Sequence, residues 1–329
     1  MHMPKVIGAA ILLALATQHQ TAAAQQATAQ AYPTQQIRLI VPYAAGGVTD
    51  MLGRLAAEHI KARTGQSVVV ENRPGAGGNT GAAAVATAPP DGYTLGHVSA
   101  NNVNMNQFLF KSMPLDPAKD LVPVAVTGDA PQIMVLNAKV PAATLQEFIA
   151  YAKANPDKVN YGSAGTGSTV HLAAEQIIRQ AGVTASHVSY RGAGPAVADL
   201  VGGNVQMMVV AAALVIEHAK AGSLRIVAAA SPQRLPFLPE VPTTAEAGLP
   251  VYDTRNWFGL VAPRGTPKAI VDHLNGIVVS MSDDPEIGRR LAANYIVPMR
   301  LTADEFARMI EGDTPKWERI IKDVGIAAQ

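Results

Sequence analysis

One design occurs twice in this chain: an apolar strand, a glycine-rich loop, then a helix whose apolar residues return at offsets of three and four. Ile37, Leu39 and Val41 alternate with Arg38 and Ile40 up to Pro42, the pattern of a buried strand leaving a sheet. Beyond Gly46 and Gly47 the period changes, and Val48, Met51, Leu52, Leu55, Ala56, His59 and Ile60 share one helical face. The theme returns mid-chain as a strand from Val159 to Tyr161, a loop from Gly162 to Gly167, and a stripe of Val170, Ala173, Ala174, Ile177, Ile178 and Ala181. Two units of one design predict an α/β protein of two lobes that face each other.

Each unit sets unpaired backbone N–H groups and the positive end of a helix at the carboxyl edge of a sheet, a corner that attracts anions. In the first loop Gly46 and Gly47 let a ligand oxygen approach the main chain, and Thr49 or a glycine caps the helix. Asp50 fits this poorly, because a carboxylate in the first turn repels an anion unless its side chain turns away to cap. A tight turn that needs glycines for its own geometry explains the same residues. The second loop adds the hydroxyls of Ser163, Thr166 and Ser168, of which capping accounts for one. Ser99, Asn101 and Asn102 follow a third strand, Tyr93 to Ser99, where open α/β sheets hold ligands, although loop solvation also suits them. Arg191, beside a glycine turn after the strand His187 to Tyr190, has the fork geometry to grip a carboxylate.

Other chemistries find less support. Gly75, Gly77 and Gly78 approach a dinucleotide fingerprint, but Thr80 stands where its third glycine belongs, and no Lys-Ser/Thr pair makes a P-loop. Ser163 lacks the Gly-x-Ser-x-Gly elbow and has no identifiable His or Asp partner. His171 and Glu175, four apart, lack the second histidine of a metal-binding helix motif. Neither metal nor cofactor is expected. With 26 Lys+Arg against 25 Asp+Glu, charge gives no support for nucleic acid or an anionic membrane as partner. The 329 residues, 48% apolar, suffice for one large or two medium domains, and the absence of cysteine excludes thiolate chemistry and disulfides.

Residues 1–31 depart from the globular pattern. Lys5, an apolar run from Val6 to Ala16 and the small residues at Ala22–Ala24 and Ala29–Ala31 read as a secretory signal, cut after Ala24 or Ala31. No later run is long enough to cross a bilayer, so the mature protein is expected to be soluble, monomeric and periplasmic. Thr144 with Glu147 and Thr302 with Glu305 form capping boxes for helices at Leu145 to Ala154 and Ala303 to Asp323. Strands Leu121 to Val126 and Gln132 to Leu136 flank a turn at Gly128 to Pro131, and Pro267 opens a helix at its first position. The expected division is residues 32–128 in lobe 1, 129–230 in lobe 2, and 231–329 returning to lobe 1, with at least two hinge crossings.

The segments VPYAAGGVTDMLGRLAA, VENRPGAGGNTGAAAVATAPPDGYTL, NYGSAGTGSTVHLAAE, HVSYRGAGPAVADLVGGNVQMM, LPEVPTTAEAGLP and WFGLVAPRGTPKAIVDHLN together resemble the Bug family. These are extracytoplasmic solute receptors of tripartite tricarboxylate transporters, and the match runs in order from about Tyr32 to the C-terminus. The resemblance implies a two-lobe periplasmic-binding-protein fold of type II that closes around a small organic acid and delivers it to membrane permease subunits. It implies that the first loop, Tyr43 to Asp50 with Ala45, holds a ligand carboxylate through main-chain N–H groups and bridging waters. The second loop, with Ser163, Ala164, Thr166, Gly167 and Ser168, meets the ligand from the other lobe. Relatives usually follow the paired methionines with an aromatic, an acid and an amide, where this chain has Val209, Val210 and Ala211. That departure implies a ligand with a less polar far end touching Val210, unless these residues are plain core. The competing functions are an exported enzyme on a small acid, with His97 or His171 as acid or base, and a ligand sensor for a two-component system.

Overall fold

The computed structural model describes residues 32–250, 255–326 and 328, so the expected signal at residues 1–31 lies outside it. In chain order the strands are β1 (Ile37–Val41), β2 (Val68–Asn72), β3 (Thr94–Ser99), β4 (Leu121–Asp129) and β5 (Gln132–Asn137). They continue with β6 (Asn160–Ser163), β7 (Ser186–Ser189), β8 (Met207–Ala211), β9 (Leu224–Ala230) and β10 (Trp257–Pro263). The longer helices are α1 (Val48–Thr64), α2 (Asn79–Ala86), α3 (Leu145–Ala154), α4 (Thr169–Ala181), α5 (Ala193–Gly202), α6 (Lys268–Val279), α7 (Pro285–Ala293) and α8 (Ala303–Val324).

The described strands form two five-stranded sheets, ordered β2-β1-β3-β10-β4 and β7-β6-β8-β5-β9. In the first, β1 lies parallel to β2 and β3, while β10 runs antiparallel to β3 and β4. In the second, β6 lies parallel to β7 and β8, while β5 runs antiparallel to β8 and β9. The two sequence units β1–α1 and β6–α4 therefore occupy equivalent places in two equivalent sheets. Apolar packing on both faces makes the inner strands hydrophobic throughout. Leu39 and Leu95 face a core with α1 and α6, and Ile40 and Val98 face one with α2 and Phe306 of α8. In the second lobe Tyr161 and Val209 pack under α3 and α4, and Met208 and Val210 under α5.

The described chain passes between the sheets at Ala130–Pro131 and again between Ala230 and Trp257. β4 runs on to Asp129, so the expected turn at Gly128 to Pro131 is shorter, and Pro267 is the cap of α6 rather than its first residue. Residues 231–250, expected with the first lobe, pack on the second. Ala229 N donates to Pro242 O at 2.8 Å and Thr244 N to Ala229 O at 3.0 Å. Leu235, Leu238 and Val241 supply the reason, since they are apolar and fill the core beneath α5. α8 also belongs to both halves: Trp317, Ile320 and Ile321 pack on Leu172 of α4 as well as on Met105 and Leu109. Arg179 of α4 holds its end, donating from Nη2 to Val324 O at 3.1 Å. No helix among the described residues is long and apolar enough to cross a membrane.

Candidate functional site

The first loop is organised by the residue that fitted worst. Asp50 is buried, and its Oδ2 accepts from Gly46 N and from Arg54 Nε, both at 3.0 Å. Its Oδ1 accepts from Asn72 Nδ2 at 2.9 Å, and the same amide group donates to Tyr43 O at 2.9 Å. Burial alone would raise the Asp50 carboxyl, but the bonds from Arg54, Gly46 and Asn72 outweigh it and hold it at about 2. The side chain thus turns back to brace its own loop. Gly47, not Thr49, is the N-cap of α1 and brings no side-chain bond, which leaves the first amides of the helix to solvent or a ligand.

Behind this loop the Gly75–Gly78 turn is tied to the segment after β3. Asn102 Nδ2 and Asn106 Nδ2 both donate to Gly77 O, at 3.1 and 3.0 Å, and Asn102 Oδ1 accepts from Ser99 N at 3.1 Å. Tyr43 Oη reaches Ser99 Oγ at 3.2 Å. A Cβ at Gly78 would lie 2.2 Å from Asn102 Nδ2, so close packing accounts for a glycine that resembled a nucleotide fingerprint.

The second loop rests on a stack of rings. Ser163 is fully buried, and its Oγ lies 2.7 Å from His187 Nε2 while accepting from Gly165 N at 3.2 Å. The sequence offered Ser163 no partner, because β7 brings His187 alongside only in the sheet; a hydroxyl this buried supports the loop. Ser168 caps α4, accepting from His171 N at 3.2 Å, and its hydroxyl donates to Gly165 O at 2.7 Å. Gly167 N donates to His171 Nδ1 at 3.1 Å. The His171 and His187 rings stack 3.8 Å apart, and the Tyr161 ring packs against both, 5.0 Å from His187 and 6.1 Å from His171. Burial, then the neighbouring His187, pushes the His171 imidazole down to about 4 against the pull of Glu175. Glu175 is no metal ligand in waiting: it accepts from Tyr161 Oη and from Arg179 Nε. Among the described residues no group of His, Asp and Glu is arranged to hold a metal.

A cavity of about 330 Å³ joins the two halves. Tyr43, Gly77, Asn101, Asn106, Leu109 and Phe110 line it from the first, and residues 164–168 from the second. Of the candidate residues, Tyr43, Asn101, Ala164, Thr166, Gly167 and Ser168 are on its wall, with Ser99 and Ser163 one layer behind. Ala45, Gly46 and Gly47 are exposed on the first loop but outside this cavity, and Thr49 and Asp50 are buried at the base of α1. Arg191 is exposed and also outside it. Val210 is a correction: it is fully buried, paired with Ile133 and packed under α5, because the second face of an inner strand must be apolar. Leu109 and Phe110 were missed, since an apolar pair after a short helical turn carries no periodic signal. His97 is buried, with Nε2 2.9 Å from Thr127 Oγ1, and burial pushes it down to about 3.

A smaller cavity of about 10 Å³ lies where the chain passes between lobes, lined among others by Asp129, Thr169, Arg255, Asn256 and Trp317. Burial raises the Asp129 carboxyl to about 6, opposed by Arg255 and by the Asn256 N–H and reinforced by Asp313.

Comparison with known proteins places this architecture. The family model for the tripartite tricarboxylate transporter family receptor matches residues 52–326. BugT of Bordetella pertussis is 35% identical over 299 residues, 91% of this chain and 92% of BugT. The structure of R. palustris Rpa4515 with adipate superposes with a TM-score of 0.80 at 35% identity, covering 91% of this chain and all of that one. MatC (Rpa3494) from Rhodopseudomonas palustris, with bound malate, gives 0.75 at 32% identity, covering 88% of this chain and all of MatC. The family and these neighbours are solute-binding proteins rather than enzymes, of the two-lobe periplasmic type. With its family model spanning most of the sequence and its fold shared at this identity, the chain belongs to the Bug-type receptors of the tripartite tricarboxylate transporter family.

Proposed function

We propose that this protein captures a small organic acid by closure of its lobes in the periplasm and delivers it, as a monomer, to membrane permease subunits. The observation that carries this is the cavity of about 330 Å³ whose walls come from both strand–loop–helix units. Hydroxyl and amide groups of Tyr43, Asn101 and Thr166 face an acid there, while Leu109 and Phe110 give its carbon chain an apolar surface. Micromolar binding needs about 8 kcal/mol, and three or four charge-assisted bonds of roughly 1.5–3 kcal/mol each supply it after closure costs. Adipate and malate, found in the related structures, are the first ligands to try.

A thermal-shift screen of the mature protein against aliphatic, hydroxy and aromatic carboxylic acids tests this. A bound acid at a hundred times its dissociation constant adds about 2.7 kcal/mol of stability. Saturable binding without turnover supports the receptor role, and loss of uptake of that acid on deletion of the gene supports delivery to a permease. No stabilisation by any acid, or release of a product, overturns it.

A further inference from the structure

The second loop is tied to the β7 side by Gly192 N to Ala164 O at 3.2 Å and Thr166 N to Ser189 Oγ at 3.1 Å, and the rest of its geometry depends on what lies behind it. Two histidines, one from α4 and one from β7, meet it at separate points. His171 Nδ1 accepts the Gly167 N–H at 3.1 Å, so the neutral ring carries its proton on Nε2. His187 Nε2 lies 2.7 Å from Ser163 Oγ, which in turn accepts the Gly165 N–H at 3.2 Å. Gly167 is also where the lobes touch: its φ is +79°, and a Cβ there would stand 3.1 Å from Leu109 Cδ2 of the first lobe. The amide that His171 holds thus belongs to a residue packed across the cleft, beside the cavity.

We propose that His171 and His187 are the positioning residues of the ligand loop, and that retention of a bound acid requires the pair to be uncharged. This rests on the acid-receptor reading above. A proton on His171 Nδ1 sets two donors against each other at the Gly167 amide and places a cation 3.8 Å from the His187 ring. The other groups facing the pair offer little relief. Tyr161 of β6 is neutral and donates to Glu175, and Glu175 of α4 already shares its charge with Arg179. The Gly167 amide is freed, the loop loses its hold on Leu109, and the cavity wall loosens.

The experiment compares the wild-type chain with His171→Asn, whose amide oxygen offers an acceptor that does not titrate, and His171→Leu, which offers none. In amide NMR spectra across pH 7 to 3, the wild-type Gly167 resonance moves with the midpoint of His171. In His171→Asn it stays in place, and in His171→Leu it is displaced already at pH 7. With adipate and malate as probes, the affinity of each protein is measured from pH 7 to 3, and His171→Asn serves as the variant whose loop contact does not titrate. Relative to that variant, wild-type affinity falls about twofold at the His171 midpoint and about tenfold one pH unit below it. Protonation of the acids themselves is common to both proteins and cancels. A Gly167 amide indifferent to His171, or equal pH profiles for wild type and His171→Asn, overturns the proposal. If neither probe binds at pH 7 the receptor reading suffers, and the amide titration still decides the role of the pair.

Discussion

The carboxylate of Asp50 accepts the N–H of Gly46, four residues earlier, at 3.0 Å, so the glycine loop of the first lobe is closed by a charge of its own. Its folded-state value of about 2 lies below the ordinary 3.8 because Arg54, Gly46 and Asn72 outweigh burial. Asp50→Asn is therefore expected to cost about 2 kcal/mol at pH 7. The wild-type contribution is complete above pH 3.8 and fades as pH falls toward 2, so the gap between the two proteins closes over that window. Urea unfolding of both at pH 7 and in steps down to pH 2 measures it; a gap that stays constant with pH contradicts the assignment.

Gly47 and Gly78 differ in how closely the fold packs around them. At Gly47 φ is −82° and an added Cβ meets nothing within 4 Å, whereas at Gly78 φ is +94° and Asn102 Nδ2 stands 2.2 Å away. Gly78→Ala should destabilise by roughly 2 kcal/mol or more through strain and the displaced amide. Gly47→Ala should change stability by less than about 1 kcal/mol. Thermal denaturation of the pair checks the order, and the reverse order is incompatible with this packing.

Asp129, at the passage between lobes, behaves oppositely to Asp50. Its folded value of about 6 exceeds 3.8 because burial disfavours the charge, so its contribution to stability is full below pH 3.8 and lost as pH rises through about 6. At pH 7 the folded protein carries an unfavourable charge. Asp129→Asn is expected to gain up to about 3 kcal/mol at pH 7 and nothing at pH 3.5. A variant less stable than wild type at pH 7 would show that Arg255 and the Asn256 N–H more than offset burial.

Thr166 is exposed on the cavity wall and Arg191 is exposed outside it. Thr166→Val should weaken binding of an acid by roughly tenfold, the worth of one charge-assisted bond, while Arg191→Ala should leave it within about twofold. Calorimetry with whichever acid the stability screen identifies decides this. Equal losses from both would move the site toward Arg191.

Local pattern alone carried the two strand–loop–helix units, the capping boxes at Thr144 and Thr302, and the hydroxyl loop at 163–168. Periodicity and caps are properties of a few neighbouring residues, and no fold is needed to read them. Tertiary structure decided which of those residues share one cavity. Val210 sits in the core because its strand is covered on both faces, and Arg191 is exposed outside the cavity although Gly192 beside it donates to Ala164 O on the cavity wall. Ser163 gained His187, and Gly167 gained His171 and Leu109, from elements that the sequence keeps apart. Residues 231–250 joined the second lobe because three apolar side chains found their core there. Contacts between distant segments depend on sheet order and on how two lobes meet, and neither is encoded in the spacing of residues along one strand or helix.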